Sequence, residues 1–415
     1  MKASLWGSGW LTRVGPTPRL VLADPNRLRE TPLRIGVGSA LFDRNDYPTL
    51  SEVVYLNQAS LGLIGQPAVD AMNRFLEDVG RHGNTYMSDE EEIGFLADLR
   101  SKAALLFGGD PEHVAILSSA SELLGQVPLI LDRGERTEVV AVSTDFPAIT
   151  RPWLRLAEQG GCHLDFVEDD PGSDLTSDLI DRIDQDTAVV TVGSVQFATG
   201  TMVDTPRLRD ATAVAGVRLV VDATQEVGAT DRSIGSWGAD VVVSSGYKWL
   251  GGHGGVALGL IGRELLEQPP ALPGWMSAPE PFDFDATRLP MSSGARRYTQ
   301  STISYASAAG LATAIDQLLD TGLDQVQRAA TDLAHQVVDG LRPFGWHPLR
   351  ELSDPAASGH ILSLRRDGGD LGEVMGQLRM ANIVASGRGG RLRISLAPYN
   401  DDADVAELVS VLSRF

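Results

Sequence analysis

The chain has 415 residues, of which 43% are hydrophobic and 22% are charged, and its formal net charge is −20 at pH 7. Such a charge disfavours nucleic acids and anionic membranes as partners, because both attract positively charged surfaces. Cys162 is the single cysteine, so the chain can form neither an internal disulfide nor a cysteine-rich metal site. No apolar run in the sequence approaches the roughly 20 residues of a membrane span. These properties predict a soluble, cytoplasmic protein.

The predicted elements begin after an irregular, proline-containing stretch of about 50 residues. We interpret that stretch as an extension that packs on the body of the protein or on a partner subunit. After it, short β-branched runs alternate with amphipathic stretches, a pattern typical of a mostly parallel sheet between helices. The predicted strands are residues 113–118, 138–142, 188–192, 217–222, 240–245 and 256–261. The predicted helices include residues 93–107, 121–131 and 205–215.

The pattern changes at Ser304, where strand and helix stop alternating regularly. A long helical stretch covers residues 304–342. After it, the short strands at residues 360–364 and 392–396 alternate with helical stretches at residues 371–380 and 402–413. This arrangement is typical of a separate, smaller α+β unit. We therefore predict an extension over residues 1–50, a large domain over residues 51–303 and a small C-terminal domain over residues 304–415.

Residues 217–261 carry the clearest chemical pattern in the chain. Two near-continuous apolar strands end in Asp222 and in Ser245, and Lys248 follows between aromatic neighbours and before a glycine-rich loop. Ligands of open α/β sheets bind at the carboxyl ends of strands, so both strand ends point to one crevice. A lysine in a partly dry crevice has a lowered pKa, as a lysine that attacks a carbonyl requires. An isolated lysine or aspartate is usually solvated or caps a helix, but this combination favours a site.

This segment resembles the cofactor-lysine region of class V aminotransferases, the group of cysteine desulfurases, kynureninases and isopenicillin N epimerase-like proteins. The matching motifs are Asp222-Ala223-Thr224-Gln225, Gly238-Ala239-Asp240 and Ser245-Gly246-Tyr247-Lys248. The resemblance runs from about Val54 to the C-terminus and is strongest with the kynureninase, epimerase-like and C–S lyase-like branch. It implies fold type I of the pyridoxal 5′-phosphate (PLP) enzymes. That α/β fold has a large domain with a mostly parallel seven-stranded sheet between helices and a smaller C-terminal α+β domain.

The resemblance assigns roles around the cofactor ring. Lys248 would form a Schiff base with PLP and then act as general base, and Asp222 would partner the pyridine nitrogen. Phe146, in an Asp-Phe-Pro element, would stack on the ring, although a plain core phenylalanine is the alternative. Phe197 stands where the family usually has a polar residue or tyrosine, so Gln225 is the expected partner of the 3-oxygen. Gln196 is a second candidate for that hydrogen bond.

The phosphate of PLP is expected at the start of a helix that follows a predicted strand. Ala120 and Ser121 lie there, where free backbone N–H groups and the helix dipole attract an anion, and the serine hydroxyl adds a donor. An ordinary N-cap serine is the alternative. The resemblance adds Ser245 and Tyr247 as phosphate contacts. Thr302 resembles the threonine that reaches the phosphate of the neighbouring subunit, which implies a homodimer.

The substrate side of the site is predicted from two further segments. Arg393 resembles the arginine that grips the substrate carboxylate, and its planar fork suits a carboxylate, with Arg388 as the second candidate. Asn57 belongs to a segment that resembles the entry to the pocket, over residues 55–62. The alternatives are a surface arginine on a strand and a plain strand followed by a turn.

The reaction is predicted less directly than the cofactor. A cysteine desulfurase needs a nucleophilic cysteine in the C-terminal domain, whereas Cys162 lies in the large domain. We therefore predict removal of the α-proton followed by β-elimination, as in C–S lyases of S-substituted cysteines, in a biosynthetic context. The alternatives are kynureninase activity, transamination or epimerisation of an amino acid, and decarboxylation coupled to deamination. A non-catalytic relative and a PLP-binding regulator are disfavoured. A metal hydrolase is disfavoured as well, because the seven histidines are scattered along the sequence.

Overall fold

The structure is a computed structural model that describes residues 38–415, so residues 1–37 of the predicted extension lie outside the described residues. The described strands are β1 (Val54–Tyr55), β2 (Val114–Leu117), β3 (Glu138–Val142), β4 (His163–Val167), β5 (Thr187–Gly193), β6 (Arg218–Asp222), β7 (Val241–Ser245), β8 (Ala257–Ile261), β9 (Trp346–Pro348), β10 (Ile361–Arg366), β11 (Ile383–Val384), β12 (Ser386–Arg388) and β13 (Arg391–Ser395). The described α-helices are α1 (Gln66–His82), α2 (Asp89–Phe107), α3 (Ala120–Ile130), α4 (Pro147–Glu158), α5 (Leu175–Asp181), α6 (Thr205–Ala215), α7 (Tyr305–Thr321), α8 (Leu323–Leu341), α9 (Leu371–Met380) and α10 (Asp402–Leu412). Within residues 38–415 no helix is long and apolar enough to cross a membrane.

The main sheet has seven strands in the order β2-β8-β7-β6-β5-β3-β4. The strands from β7 to β4 are parallel to one another, and β8 runs antiparallel to its neighbours β7 and β2. Strands covered on both faces read as continuous apolar runs, and every residue of β5 and β7 is buried. The predicted mostly parallel, seven-stranded sheet is therefore confirmed.

Apolar cores fill both faces of this sheet. Successive residues of a strand point to opposite faces, so Val220 and Val221 of β6 belong to different cores. Val221 packs in the core that holds Phe107 of α2, and Val220 packs in the core that holds Trp153 of α4. The helices thus hold the sheet from both sides and leave the carboxyl ends of β5, β6 and β7 free to form a cleft.

A smaller, antiparallel sheet has the order β12-β13-β10-β9. One of its faces packs on α8, α9 and α10 through residues such as Leu364, Leu392 and Ile394. The strand β1 lies close to this sheet, because β1 pairs in parallel with β11 and the N–H of Ser395 donates to the carbonyl of Leu56 at 2.9 Å. The beginning of the described chain therefore joins its end.

The predicted helical stretch over residues 304–342 is wrong as a single element. It consists of α7 and α8, which meet at Gly322 with a φ of +85°, a conformation that glycine adopts at little cost. Leu311 of α7 belongs to a core of the main sheet, whereas the core of the small sheet takes its helical residues from α8 onward. The division between domains at residue 304 stays a prediction.

The described part of the predicted extension packs on the C-terminal part of the same chain. The N–H groups of Leu41 and Phe42 both donate to the carbonyl of Pro398, at 2.8 and 3.0 Å. The Arg44 guanidinium binds the buried carboxylate of Asp404 through two hydrogen bonds of 2.9 and 3.1 Å. A bidentate, partly buried pair of this kind is geometrically specific, so it fixes the position of residues 38–46.

Candidate active site

The predicted lysine and aspartate meet in one cleft at the carboxyl ends of the central strands. Asp222 is the last residue of β6, and Lys248 follows the end of β7 by three residues. Their side chains are 8% and 7% exposed. The other predicted residues that line the cleft are Ala120, Ser121, Phe146, Gln225, Ser245 and Tyr247. The fold thus brings together predicted residues from four separate stretches of the sequence.

Burial controls the electrostatics of Lys248. Desolvation lowers the pKa of its amine to about 8; the Asp222 carboxylate acts in the opposite direction, and the cations of Arg393 and Arg388 add to the lowering. The amine nitrogen lies 5.3 Å from the centroid of the Phe146 ring. A lysine with this pKa is partly neutral near physiological pH and can act as a nucleophile or accept a proton.

Asp222 is held at the base of the cleft by its own strand end. One carboxylate oxygen accepts a hydrogen bond of 2.9 Å from the N–H of Thr224. Burial raises the pKa of Asp222, whereas the hydrogen bonds from Thr224 and the charge of Lys248 lower it. A buried carboxyl in this setting needs a cationic or hydrogen-bonding partner, and a protonated ring nitrogen meets that need.

The backbone of Lys248 is fixed by Gln58, a residue of the predicted entry segment to which the sequence prediction gave no role of its own. The buried amide of Gln58 donates to the carbonyl of Lys248 at 2.8 Å. The other end of that amide accepts a 2.6 Å hydrogen bond from the hydroxyl of Tyr399. The C-terminal segment, the entry segment and the lysine loop are thereby joined in one network.

The N-terminus of α3 borders the cleft. Ser119 is the N-cap, and its hydroxyl accepts from the N–H of Glu122 at 3.2 Å. The alternative interpretation of Ser121 as the N-cap is therefore wrong, because Ser121 lies inside the first turn. The N–H groups of a first turn have no partner within the helix, and those of Ala120 and Ser121 can therefore receive an anion.

Phe146 forms an aromatic wall with Phe197. Their ring centroids are 5.5 Å apart and the planes are 83° apart, an edge-to-face arrangement. Phe146 is 41% exposed, and both rings line the cleft. Phe197 thus gives the cleft an aromatic surface at this position.

Asp145 is a second buried carboxyl in the cleft that the sequence prediction did not assign. Its oxygens accept hydrogen bonds from the N–H groups of Gly193 and Phe146, at 2.6 and 2.8 Å, and from the amide of Gln196 at 3.2 Å. Burial raises the pKa of Asp145 to about 7, although these hydrogen bonds act against the rise. The carboxyl holds Phe146 and the end of β5 in place.

The two glutamines predicted for the 3-oxygen are both held by the protein. Gln225 donates to the carbonyl of Ala59 at 3.0 Å and accepts from the indole N–H of Trp249 at 2.8 Å. Gln196 donates to Asp145, and its amide oxygen is buried without a partner among residues 38–415. A role for either glutamine at the 3-oxygen stays a prediction.

Arg393 approaches the cleft from β13 and is 1% exposed. Its donors reach the carbonyl of Phe197 at 2.6 Å, the amide oxygen of Asn57 at 3.4 Å and the hydroxyls of Ser386 and Ser60. All of these acceptors are neutral. Burial lowers the pKa of Arg393 to about 10. A buried guanidinium with neutral acceptors is costly unless an anion joins it, which suits a carboxylate-bearing substrate.

Two residues named from the sequence lie away from the cleft. Thr302 is exposed and does not line the cleft of its own chain. Cys162 precedes β4 and contacts the carbonyl of Trp153 at 3.4 Å. Its thiol is not part of the cleft.

Comparison with known proteins identifies the family of the chain. The family model for class-V aminotransferases matches residues 54–408. A kynureninase of Bacillus cereus is 24% identical over 379 residues, which are 87% of this chain and 88% of that protein. A probable cysteine desulfurase of Pyrococcus abyssi is 24% identical over 75% of this chain and 79% of that protein. The solved complex of the cystine C-S lyase C-DES with cysteine persulfide has a TM-score of 0.80 at 20% identity, covering 89% and 99% of the two chains.

Proposed function

The chain belongs to the class-V aminotransferase family and is a PLP-dependent enzyme, and on that premise we propose that it is a C–S lyase of S-substituted cysteines. The proposed reaction removes the α-proton, expels the sulfur substituent from the β-carbon as a thiol, and leaves pyruvate and ammonia after hydrolysis. The observation that carries this proposal is a cleft that is lined by a buried lysine and bordered by a buried arginine, with no thiol among its lining residues.

The residues of the cleft offer a suitable partner to each functional group of PLP. Lys248 supplies the amine for the aldehyde, and Asp222 suits the pyridine nitrogen. Phe146 offers a flat apolar face, and the first turn of α3 offers N–H donors to the phosphate at Ser121. When bound, PLP withdraws electrons from the α-carbon of an amino acid and so weakens its bonds.

The protein's own groups account for the remaining steps. Lys248, with a pKa of about 8, can accept the α-proton and return it to a leaving group. Arg393 would bind the substrate carboxylate and so fix the orientation of the α-carbon in the cleft. Phe146 and Phe197 exclude water from one side of the cleft and limit competing hydrolysis.

The position of the cysteine favours elimination over persulfide transfer. A desulfurase requires an enzyme thiol that attacks the sulfur of the substrate. Cys162 is the only cysteine of the chain, and it lies outside the cleft against Trp153. An S-substituted cysteine carries its own leaving sulfur, so β-elimination needs no enzyme thiol.

We also propose that the active enzyme is a homodimer in which Thr302 reaches the phosphate site of the partner subunit. Thr302 is exposed on its own chain and has a hydroxyl donor to offer. Among the described residues that line the cleft, Lys248 is the only basic one, so the phosphate end has neutral donors alone. A further donor from a second subunit would complete that end.

Product analysis tests the proposed reaction. The PLP-loaded protein is incubated with S-methyl-, S-ethyl- and S-benzyl-L-cysteine, and pyruvate, ammonia, thiol and CO2 are measured together. Equal amounts of pyruvate, ammonia and thiol are expected, with none from L-alanine, which lacks a leaving group. CO2 with an aldehyde, or transfer of the amino group to a keto acid, would contradict the proposal.

A further inference from the structure

One face of the small sheet carries a row of three arginines. Arg388 of β12 pairs with Arg391 of β13, and Ser386 pairs with Arg393. Residues two apart on a strand share a face, so all three arginines lie on the same face of the hairpin. The other face contributes Leu392 to the small core. The row begins at half-buried Arg388 and Arg391 and ends at buried Arg393.

These arginines bind neutral groups of the protein. Arg393 donates to oxygens of carbonyl, amide and hydroxyl groups. Arg391 donates to the hydroxyl of Ser363 at 3.1 Å, and Arg388 donates to the neighbouring carbonyl of Gly387 at 2.9 Å. Within the described chain, the ion pairs at 4.0 Å or less are formed by other arginines and by Lys102. The sequence has 55 acidic residues against 35 basic ones, so a lack of acids does not explain this.

The row ends beside the cleft that holds Lys248. Arg393 contacts Phe197, which lines that cleft, and Ser60 of the entry segment. Arg388 follows Ser386 by two positions, and Ser386 both pairs with Arg393 and accepts a hydrogen bond from it, so Arg388 lies beside Arg393 on this face. The charges of Arg393 and Arg388 also act to lower the pKa of Lys248. The arginine row therefore extends the site beyond the position of an α-carboxylate.

Resting on the proposed function, we infer that the substrate is an amino acid with a second anionic group on its sulfur substituent. Arg393 binds the α-carboxylate, and Arg388 with Arg391 binds the distal group. The α-carbons of Arg391 and Arg393 lie two positions apart on β13, about 7 Å, so a substrate whose two anionic groups are separated by a similar distance can contact both arginines. An S-(2-carboxyethyl)cysteine skeleton has this reach.

A pair of isosteric substrates tests the inference. S-(2-carboxyethyl)-L-cysteine carries the distal charge, and S-(2-carbamoylethyl)-L-cysteine replaces that carboxylate with an amide. With the PLP-loaded enzyme we expect KM for the acid to be roughly tenfold lower than for the amide, since charged hydrogen bonds are the stronger ones. The preference should shrink toward equality in Arg388→Gln and Arg391→Gln. Equal KM values in the unmodified enzyme would overturn the inference.

The matched control is Arg366→Gln. Arg366 is the last residue of β10 and follows Leu364 by two positions, so it lies on the opposite face of the small sheet. Its guanidinium donates to the carbonyl of Phe344 at 3.1 Å. The preference for the acid should persist in this variant. A loss of preference equal to that of Arg388→Gln would mean that general surface charge attracts the acid, and would overturn the inference.

A binding experiment separates this inference from the proposed elimination. L-2-aminopimelate and L-2-aminoheptanoate have no leaving group, and the first alone has a distal carboxylate. Their dissociation constants are measured from the absorbance change of the PLP-loaded enzyme. Tighter binding of aminopimelate by roughly tenfold, without turnover of either cysteine derivative, would reject the elimination and retain the dianionic substrate. Equal binding, or binding of neither, would reject the second anionic group.

Discussion

Gly62 lies against the backbone of Lys248 so closely that a β-carbon at position 62 would come within 2.3 Å of the Lys248 carbonyl oxygen. The N–H of Gly62 also donates to the carbonyl of Tyr247 at 3.0 Å. The entry segment therefore presses on the main chain that carries the cofactor lysine, and only glycine permits this approach.

Gly62→Ala should destabilise the protein by roughly 2–3 kcal/mol, because the clash is with backbone and cannot be relieved by a rotamer change. Urea unfolding would measure the loss, and absorbance titration with PLP would measure a weaker affinity for the cofactor. Gly254→Ala is the control, because a β-carbon at this position of the loop after Lys248 meets nothing within 4 Å. Similar effects of both substitutions would refute a special role for Gly62.

Lys248→Ala should abolish the PLP adduct that borohydride fixes to the protein, together with turnover. The test is specific because the chain has only three lysines, Lys2, Lys102 and Lys248, on which such an adduct could form. Lys102→Ala removes a surface ion pair with Asp316 and should leave the adduct intact. Mass spectrometry of peptides from the reduced protein would locate the label. A label that survives at full yield in Lys248→Ala would displace Lys248 from its role.

The rate at which the cofactor-free protein takes up PLP should rise with pH and level off above about 8. Only the neutral amine of Lys248 attacks the aldehyde, and burial lowers the pKa of that amine to about 8. Stopped-flow absorbance between pH 6 and pH 10 would give the profile. A midpoint above pH 10, near the ordinary value for lysine, would show that the amine is not desolvated in solution.

Asp145 should make the stability of the cofactor-free protein depend on pH. Its pKa is raised to about 7 in the folded state, so between pH 4 and pH 7 the folded protein keeps a proton that the unfolded chain has released. This contribution favours folding at low pH and is lost as the pH rises through 7. Relative to Asp145→Asn, the unmodified protein should lose roughly 2 kcal/mol of unfolding free energy between pH 5 and pH 8. Parallel pH profiles would contradict the assignment.

Arg393→Gln should raise KM for an S-substituted cysteine by roughly 30- to 100-fold, as expected for a lost charged hydrogen-bonded pair. Arg393→Lys keeps the charge but loses the planar fork, so an intermediate KM is expected. Steady-state kinetics with far-UV circular dichroism as a folding control would decide. An unchanged KM in Arg393→Gln would move the α-carboxylate site to Arg388.

The main sheet and the position of Lys248 and Asp222 could be predicted, because short stretches of neighbouring residues in the sequence indicate them. The apolar runs that end at Asp222 and Ser245 identify strands, and strands in this order bring their carboxyl ends to one edge. The break between α7 and α8 was not predicted, although Gly322 is visible in the sequence. A helical pattern tolerates an isolated glycine, and the packing of the two helices on different cores decides the break.

The supporting network of the site could not be predicted, because its contacts are distant in sequence. Asp145 is buried through Gly193, 48 positions away, and Gln58 contacts Lys248 across 190 positions. Neither aspartate nor glutamine carries a signal that it will be buried. Their burial follows from the order of the strands and from the return of the entry segment to the sheet edge.

The parallel pairing of β1 with β11 sets the order in which the site can form. Leu56 bonds to Val384 and to Ser395, more than 300 residues later. Contacts of such sequence separation form late, since the intervening chain must first be made and closed. On the ribosome, the strands of the main sheet and Lys248 emerge well before Arg393. The entry segment can contact the lysine loop and Arg393 together only once residues 384–395 have been synthesised, so chains that stop before these residues are expected to be inactive.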